Sequence, residues 1–212
     1  MERKILQPEQ IIVPGEYELG NESILKIYFR VFDRGHGEDL PPAIVTSSRF
    51  DQNLLPPARE YKRCMRAIEE DEKKGEYVNP GRRNHDRKCY EEGMAEYLGI
   101  LEKVAQFDKN GVGYFLLDGN HRSAAATLTY QPISALELQA DEDLEEVRKM
   151  VKKGELFDFK REDTSLVELV GSFYEFCKDE LEDFNTIKER INRLTSNGDL
   201  PKYMKERYLR GK

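Results

Sequence analysis

Residues 114–128, YFLLDGNHRSAAATL, constrain the fold of this chain more than any other stretch. Four apolar residues in a row, Tyr114 to Leu117, read as a buried strand. Asp118 closes it, and Gly119 permits a sharp reversal that also lets a ligand come close to the backbone. Asn120 is a favoured helix N-cap, which puts His121 and Arg122 in the first turn of a helix over about residues 120–130. Ser123, Ala124, Ala125 and Ala126 are small enough to let that helix lie close to a sheet. Gln131-Pro132 breaks the helix, and Ile133 to Leu138 read as the next strand. A strand–turn–helix–strand run of this kind predicts an α/β architecture.

The turn also carries chemistry. The first N–H groups of a helix have no intrahelical partner, and the helix dipole favours negative charge there. Acidic residues normally complement that end, yet here it holds Arg122 with His121 beside it. The pattern predicts an anion held by backbone N–H groups, imidazole and guanidinium together, and phosphate suits that geometry. The alternative is plain turn chemistry, with Asn120 as a cap and both cations solvated.

The other segments fill in the fold. Residues 24–32, ILKIYFRVF, alternate like a half-buried strand, with Leu25, Ile27, Phe29 and Val31 on one face. A loop rich in glycine and proline leads to a short strand over 43–46. Two amphipathic helices follow over 58–74 and 87–107, joined by a loop containing Arg82, Arg83 and His85. A charged helix is expected over 141–153. Beyond about residue 160 the pattern is helical only. Ser165 with Glu168 and Thr186 with Glu189 have capping-box spacing, Gly198 is placed to end a helix, and residues 201–210 form a last basic helix. The expectation is a small mixed sheet flanked by helices over residues 1–160, with a helical insertion at about 58–107 and an appended helical region over 161–212.

Composition narrows the function classes. The chain has 212 residues, 38% hydrophobic and 35% charged, with a net charge of −7, so its surface as a whole does not suit wrapping of nucleic acid. A local basic patch is compatible with that balance. The run Arg82, Arg83, His85, Arg87, Lys88 and the tail with Lys202, Lys205, Arg207, Arg210 and Lys212 are candidates, each set against the simpler reading of solvated surface. Cys64, Cys89 and Cys177 are widely spaced and odd in number, which argues against a disulfide framework and a cysteine-rich zinc site. His36, His85 and His121 have no metal-ligand spacing. No apolar stretch reaches the roughly 20 residues of a membrane span, and the charged start lacks a signal-like apolar run, so the chain reads as cytoplasmic.

Ser47, Ser48 and Arg49 follow the predicted strand over 43–46 and are candidates for lining the same cleft, where they would bind substrate. Asp118 is the first candidate ligand for a magnesium brought by a nucleotide, with Asp33 or Glu38 as alternatives, and such a carboxylate is equally a candidate general base.

Asp118-Gly119-Asn120-His121-Arg122-Ser123-Ala124-Ala125 resembles the signature of the ParB/sulfiredoxin superfamily, in which a strand ends in a motif of the type D/G-G-x-[HR]-R-x-x-A-A. The flanking strands, GYFLLDG and PISALEL, resemble the family's order as well. Members include CTP-binding partition proteins, ATP-using sulfiredoxins, free-serine kinases and proteins described as nucleases. The resemblance implies nucleotide phosphate binding at Gly119, Asn120, His121, Arg122 and Ser123, with Asp118 orienting the turn or a metal. Sulfiredoxin chemistry needs a cysteine where this chain has Asn120, so sulfinic-acid reduction is not implied. No helix-turn-helix like that of partition proteins is recognisable.

Together these readings lead to the expectation of a magnesium-dependent phosphotransferase that takes ATP, ADP or CTP and a small hydroxylated substrate, with Asp118 and His121 as the catalytic groups. The competing readings are a nucleotide-dependent switch that engages a protein partner through the C-terminal helices, and a nuclease or DNA-binding protein.

Overall fold

A computed structural model describes residues 1–13, 19–49, 56–75, 80–157, 159, 165–178 and 185–211, with backbone alone at 56, 57, 80, 82, 83, 96 and 174–178. The expected domain boundary near residue 160 and the Arg82 and Arg83 side chains lie outside the described residues.

Among the described residues six strands form one mixed sheet: β1 (Glu2–Leu6), β2 (Ile11–Val13), β3 (Ala43–Ser47), β4 (Tyr114–Asp118), β5 (Ile133–Leu138) and β6 (Asn185–Thr186). Their order is β1-β5-β3-β4-β2-β6. β3 runs parallel to β5 and β4 parallel to β2, while the β1–β5, β3–β4 and β2–β6 pairs are antiparallel.

Helices cover both faces. On one face lie α1 (Glu22–Asp33), α4 (Asn120–Leu128), α7 (Ile187–Asn197) and α8 (Lys202–Arg210). They bury Leu25, Phe29, Ala124, Leu128, Ile191 and Tyr208 against Ile11, Val13, Val45 and Leu116 of the sheet. On the other face lie α2 (Pro56–Lys74), α3 (Pro80–Lys109), α5 (Asp141–Lys152) and α6 (Leu166–Lys178). These pack on Ile12 and Phe115 and on Ile44, Leu117, Leu136 and Leu138. Successive residues of β2 and β4 thus alternate between two cores, which is why IIV and YFLL are apolar throughout. Helices expected to be appended, α7 and α8, supply Ile187, Ile191, Met204 and Tyr208 to the first core.

Several segments differ in kind from what the sequence pattern predicts. Residues 24–32 are not a strand but most of α1. The Asn21 side chain accepts a hydrogen bond from the Ile24 N–H (3.2 Å), which caps the helix, and Lys26 pairs with Glu22 one turn back. Leu25, Phe29 and Phe32, at i, i+4 and i+7, point inward, while Ile27 of the supposed strand face is 59% exposed. The alternation was compatible with a strand only because α1 carries apolar residues on its outer side too. Three strands were not expected at all: β1, β2 and β6. The stretch expected as a loop before residue 87 is helical from Pro80 onward.

Candidate functional site

The β4–α4 turn is built by glycine. Gly119 adopts φ +105°, a left-handed conformation that costs other residues steric strain. A Cβ there would lie 2.9 Å from the Ala43 Cβ and 3.1 Å from its Cα, so the turn is pressed against β3. Gly119 itself occupies the N-cap position, with no side-chain cap. Asn120, expected as the cap, is instead the first residue of the helix, one place further along. A bulge at the end of β4 helps to aim the turn: Val45 opposes Leu116 but Ile44 opposes Asp118, so β4 carries one extra residue there.

Ser123 is fully buried, and its hydroxyl donates back to the Gly119 carbonyl (2.7 Å), as Thr127 donates to Ser123 one turn later. Ser123 therefore closes the turn from inside, and its side chain is directed away from the cleft.

Arg122 also turns inward, and is 5% exposed. Its Nη2 donates to Asp118 Oδ2 at 2.7 Å, its Nη1 donates to the Pro41 carbonyl at 2.8 Å, and its guanidinium carbon lies 5.7 Å from the centre of the Phe157 ring. The cation at the helix start thus has its anion within the chain, four residues earlier. Arg122 fastens the start of α4 to the end of β4 and to the segment entering β3.

A cleft of about 240 Å³ opens beside this turn. Ile24 and Tyr28 of α1, Leu117 of β4 and Phe157 form its apolar lining, and Asp118 to Arg122 form its polar lining. The Tyr28 and Phe157 rings are 6.2 Å apart and tilted by 53°. The Asp118 side chain is about one-third exposed. His121 is half-buried, and its Nε2 is enclosed without a hydrogen-bond partner. Burial holds the imidazole below its ordinary pKa of 6.5, against the upward pull of the Asp118 charge. A neutral imidazole therefore forms part of the cleft wall, with its Nε2 turned into the protein.

Ser47, Ser48 and Arg49 do not join this cleft. β3 and β4 are antiparallel, and Ser47 opposes Tyr114 at the start of β4, whereas Asp118 opposes Ile44. The candidates lie at the far end of the pair, roughly 13 Å along the strand. Ser47 Oγ accepts from the Arg49 N–H, Ser48 N–H donates to the Gly113 carbonyl, and Arg49 Nε pairs with Asp108 (2.7 Å). Asp33 is likewise engaged elsewhere, by Arg207 Nε at 2.8 Å, and Glu38 sits on an exposed turn. Among the described residues no group of three or more His, Cys, Asp or Glu could hold a metal ion. A magnesium carried by phosphates needs only one or two carboxylates, and Asp118 is the one at this cleft.

Ile24, Tyr28 and Phe157 line the cleft without any signal in the sequence that placed them there. All three are distant in sequence from the turn, and the strand expected over 24–32 hides the helical face that Ile24 and Tyr28 share. No helix among the described residues is long and apolar enough to cross a membrane. Comparison with protein-family models, curated proteins and solved structures gives no match to this chain.

Proposed function

We propose that the cleft at the β4–α4 turn binds a nucleotide in the manner of a ParB/sulfiredoxin-like domain and supports phosphoryl transfer to a small hydroxylated substrate. The observation that carries this reading is the pairing of a helix start with a two-sided cleft. The first turn of α4 borders the same space as Tyr28 and Phe157. Backbone N–H groups and the helix dipole favour a phosphate at one end of that space. The aromatic rings that border the same space suit a base or another flat apolar group.

The residues divide the work. Arg122 and Ser123 are positioning residues that hold the turn in shape from inside. His121, neutral near pH 7 and part of the cleft lining, is the better general base. As the substrate oxygen bonds to the transferred phosphorus and the bond to the leaving phosphate breaks, the hydroxyl proton passes to the imidazole. Asp118, tied to Arg122 through one oxygen, retains the other for a magnesium carried by the phosphates, which would offset their negative charge.

Calorimetric titration with ATP, ADP and CTP, each with and without magnesium, tests the reading. Saturable binding by the wild type, weakened tenfold or more in Tyr28→Ala, is expected. His121→Ala should retain binding but lose transfer to a hydroxylated acceptor. No saturable heat with any of the three nucleotides would end the proposal.

A further inference from the structure

The geometry points to a second interaction surface, on the outer side of α2, that docks the backbone of double-stranded DNA. Arg59, Lys62, Arg63 and Arg66 follow one another at i, i+3, i+4 and i+7, so they share one face of the helix. All four are exposed, and with Ala67 and Glu70 they line an open cleft of about 450 Å³. The opposite side of α2 faces the protein through Ala58 and Ile68, both 4% exposed, and α2 packs on α3 and α6. The basic side is therefore the one turned outward.

Charge complementarity selects the partner. The whole chain carries a net charge of −7, so four cations on one helical stripe are a local feature set against an acidic background. Three of the four are arginines, whose fork matches phosphate oxygens better than an ammonium does. Their span of roughly 10 Å along the helix equals the rise of about three nucleotides of one strand. Arg63 pairs with Glu60 at 2.6 Å, but both side chains are more than half exposed. Such a surface pair is weak enough to exchange its carboxylate for a phosphate. The described lining has no aromatic side chain for base stacking, which favours duplex backbone over single strands. The sequence hid the stripe because Glu60, Tyr61 and Cys64 interrupt it, whereas the more conspicuous run near Arg87 includes Glu72 as a partner of Arg87 at 3.6 Å.

Fluorescence anisotropy with a labelled 24-base-pair duplex of random sequence, titrated with full-length protein from 50 to 200 mM salt, tests this. Four phosphate contacts predict a slope of log affinity on log salt of about −3.6. The Arg59→Gln/Arg66→Gln variant should bind at least tenfold more weakly at 50 mM salt, with a slope shallower by about 1.8. Circular dichroism melting checks that this exposed pair leaves the fold intact. A Lys202→Gln/Arg210→Gln variant on the basic tail should bind like wild type. Absence of duplex binding at 50 mM salt overturns the proposal, as does an α2 variant that binds like wild type. Loss of binding through the tail variant instead, or tighter binding to a 24-nucleotide single strand or to phosphatidylserine vesicles, overturns it equally.

Discussion

At the residue scale, the β4–α4 turn depends on two side-chain facts: a hydrogen where Gly119 has no Cβ, and a guanidinium where Arg122 reaches back. Gly119→Ala would need a left-handed backbone for a residue with a Cβ and would press on Ala43, a strain of about 1–3 kcal/mol. Arg122→Ala would leave Asp118 and the Pro41 carbonyl without their donor, which costs about 2–3 kcal/mol. Urea unfolding of both variants checks these values, and Arg122→Lys should recover only part of the loss because an ammonium cannot span both acceptors in one plane. His121 gives a pH signature. Burial lowers its pKa in the folded state, so the unfolded chain binds more protons and stability contributed above pH 6.5 is lost as pH falls below it. His121→Gln should flatten that part of the pH–stability curve, and an NMR titration of the imidazole should place its midpoint below 6.5.

At the scale of elements, capping explains where the chain switches between strand and helix. Thr186 ends β6 and caps α7, accepting from the Glu189 N–H at 3.2 Å while Glu189 Oε2 accepts from the Thr186 N–H at 2.8 Å. Thr186→Ala removes half of this box and should lower stability by about 1 kcal/mol in denaturant titration. That box was legible in the sequence because its partners are three residues apart. The Asp118–Ser123 turn was legible for the same reason. What the sequence hid depended on distance or on ambiguous pattern. ILKIYFRVF satisfies both a two-residue and a 3.6-residue period, and the cap that decides between them, Asn21, lies just outside it. β2 is three residues long and takes its partners from Tyr114 and Thr186. The placement of Ser47 to Arg49 away from the cleft follows from the antiparallel pairing of β3 with β4, a direction that no local motif encodes. The partner of Arg122 was within reach of inspection, since Asp118 precedes it by four residues, about one helical turn.

At the scale of the whole molecule, α8 belongs to the core. Tyr208 is fully buried, its hydroxyl 2.9 Å from Asn192 Oδ1, and its ring stacks on Tyr130, whose own hydroxyl donates to the Tyr208 carbonyl at 2.6 Å. Tyr130 holds φ +60° in this contact, a conformation uncommon outside glycine. Tyr208→Ala empties an aromatic site in that core and should cost about 3–5 kcal/mol. Hydrogen exchange on α8 should show protection close to that of β4, in contrast to a fraying terminal helix.

The sheet order has a temporal meaning. β4 sits between β3 and β2, and the edge of β2 is covered by β6, so Val13 waits for Asn185 as Ile12 waits for Thr186. A ribosome adding 5–20 residues per second needs roughly 10–35 s to travel that distance. Throughout that interval the apolar segment Ile11-Ile12-Val13 lacks its β6 partner, and its backbone on that side is left to water. Such a chain folds late in its synthesis, and its most vulnerable period is the time it spends half made.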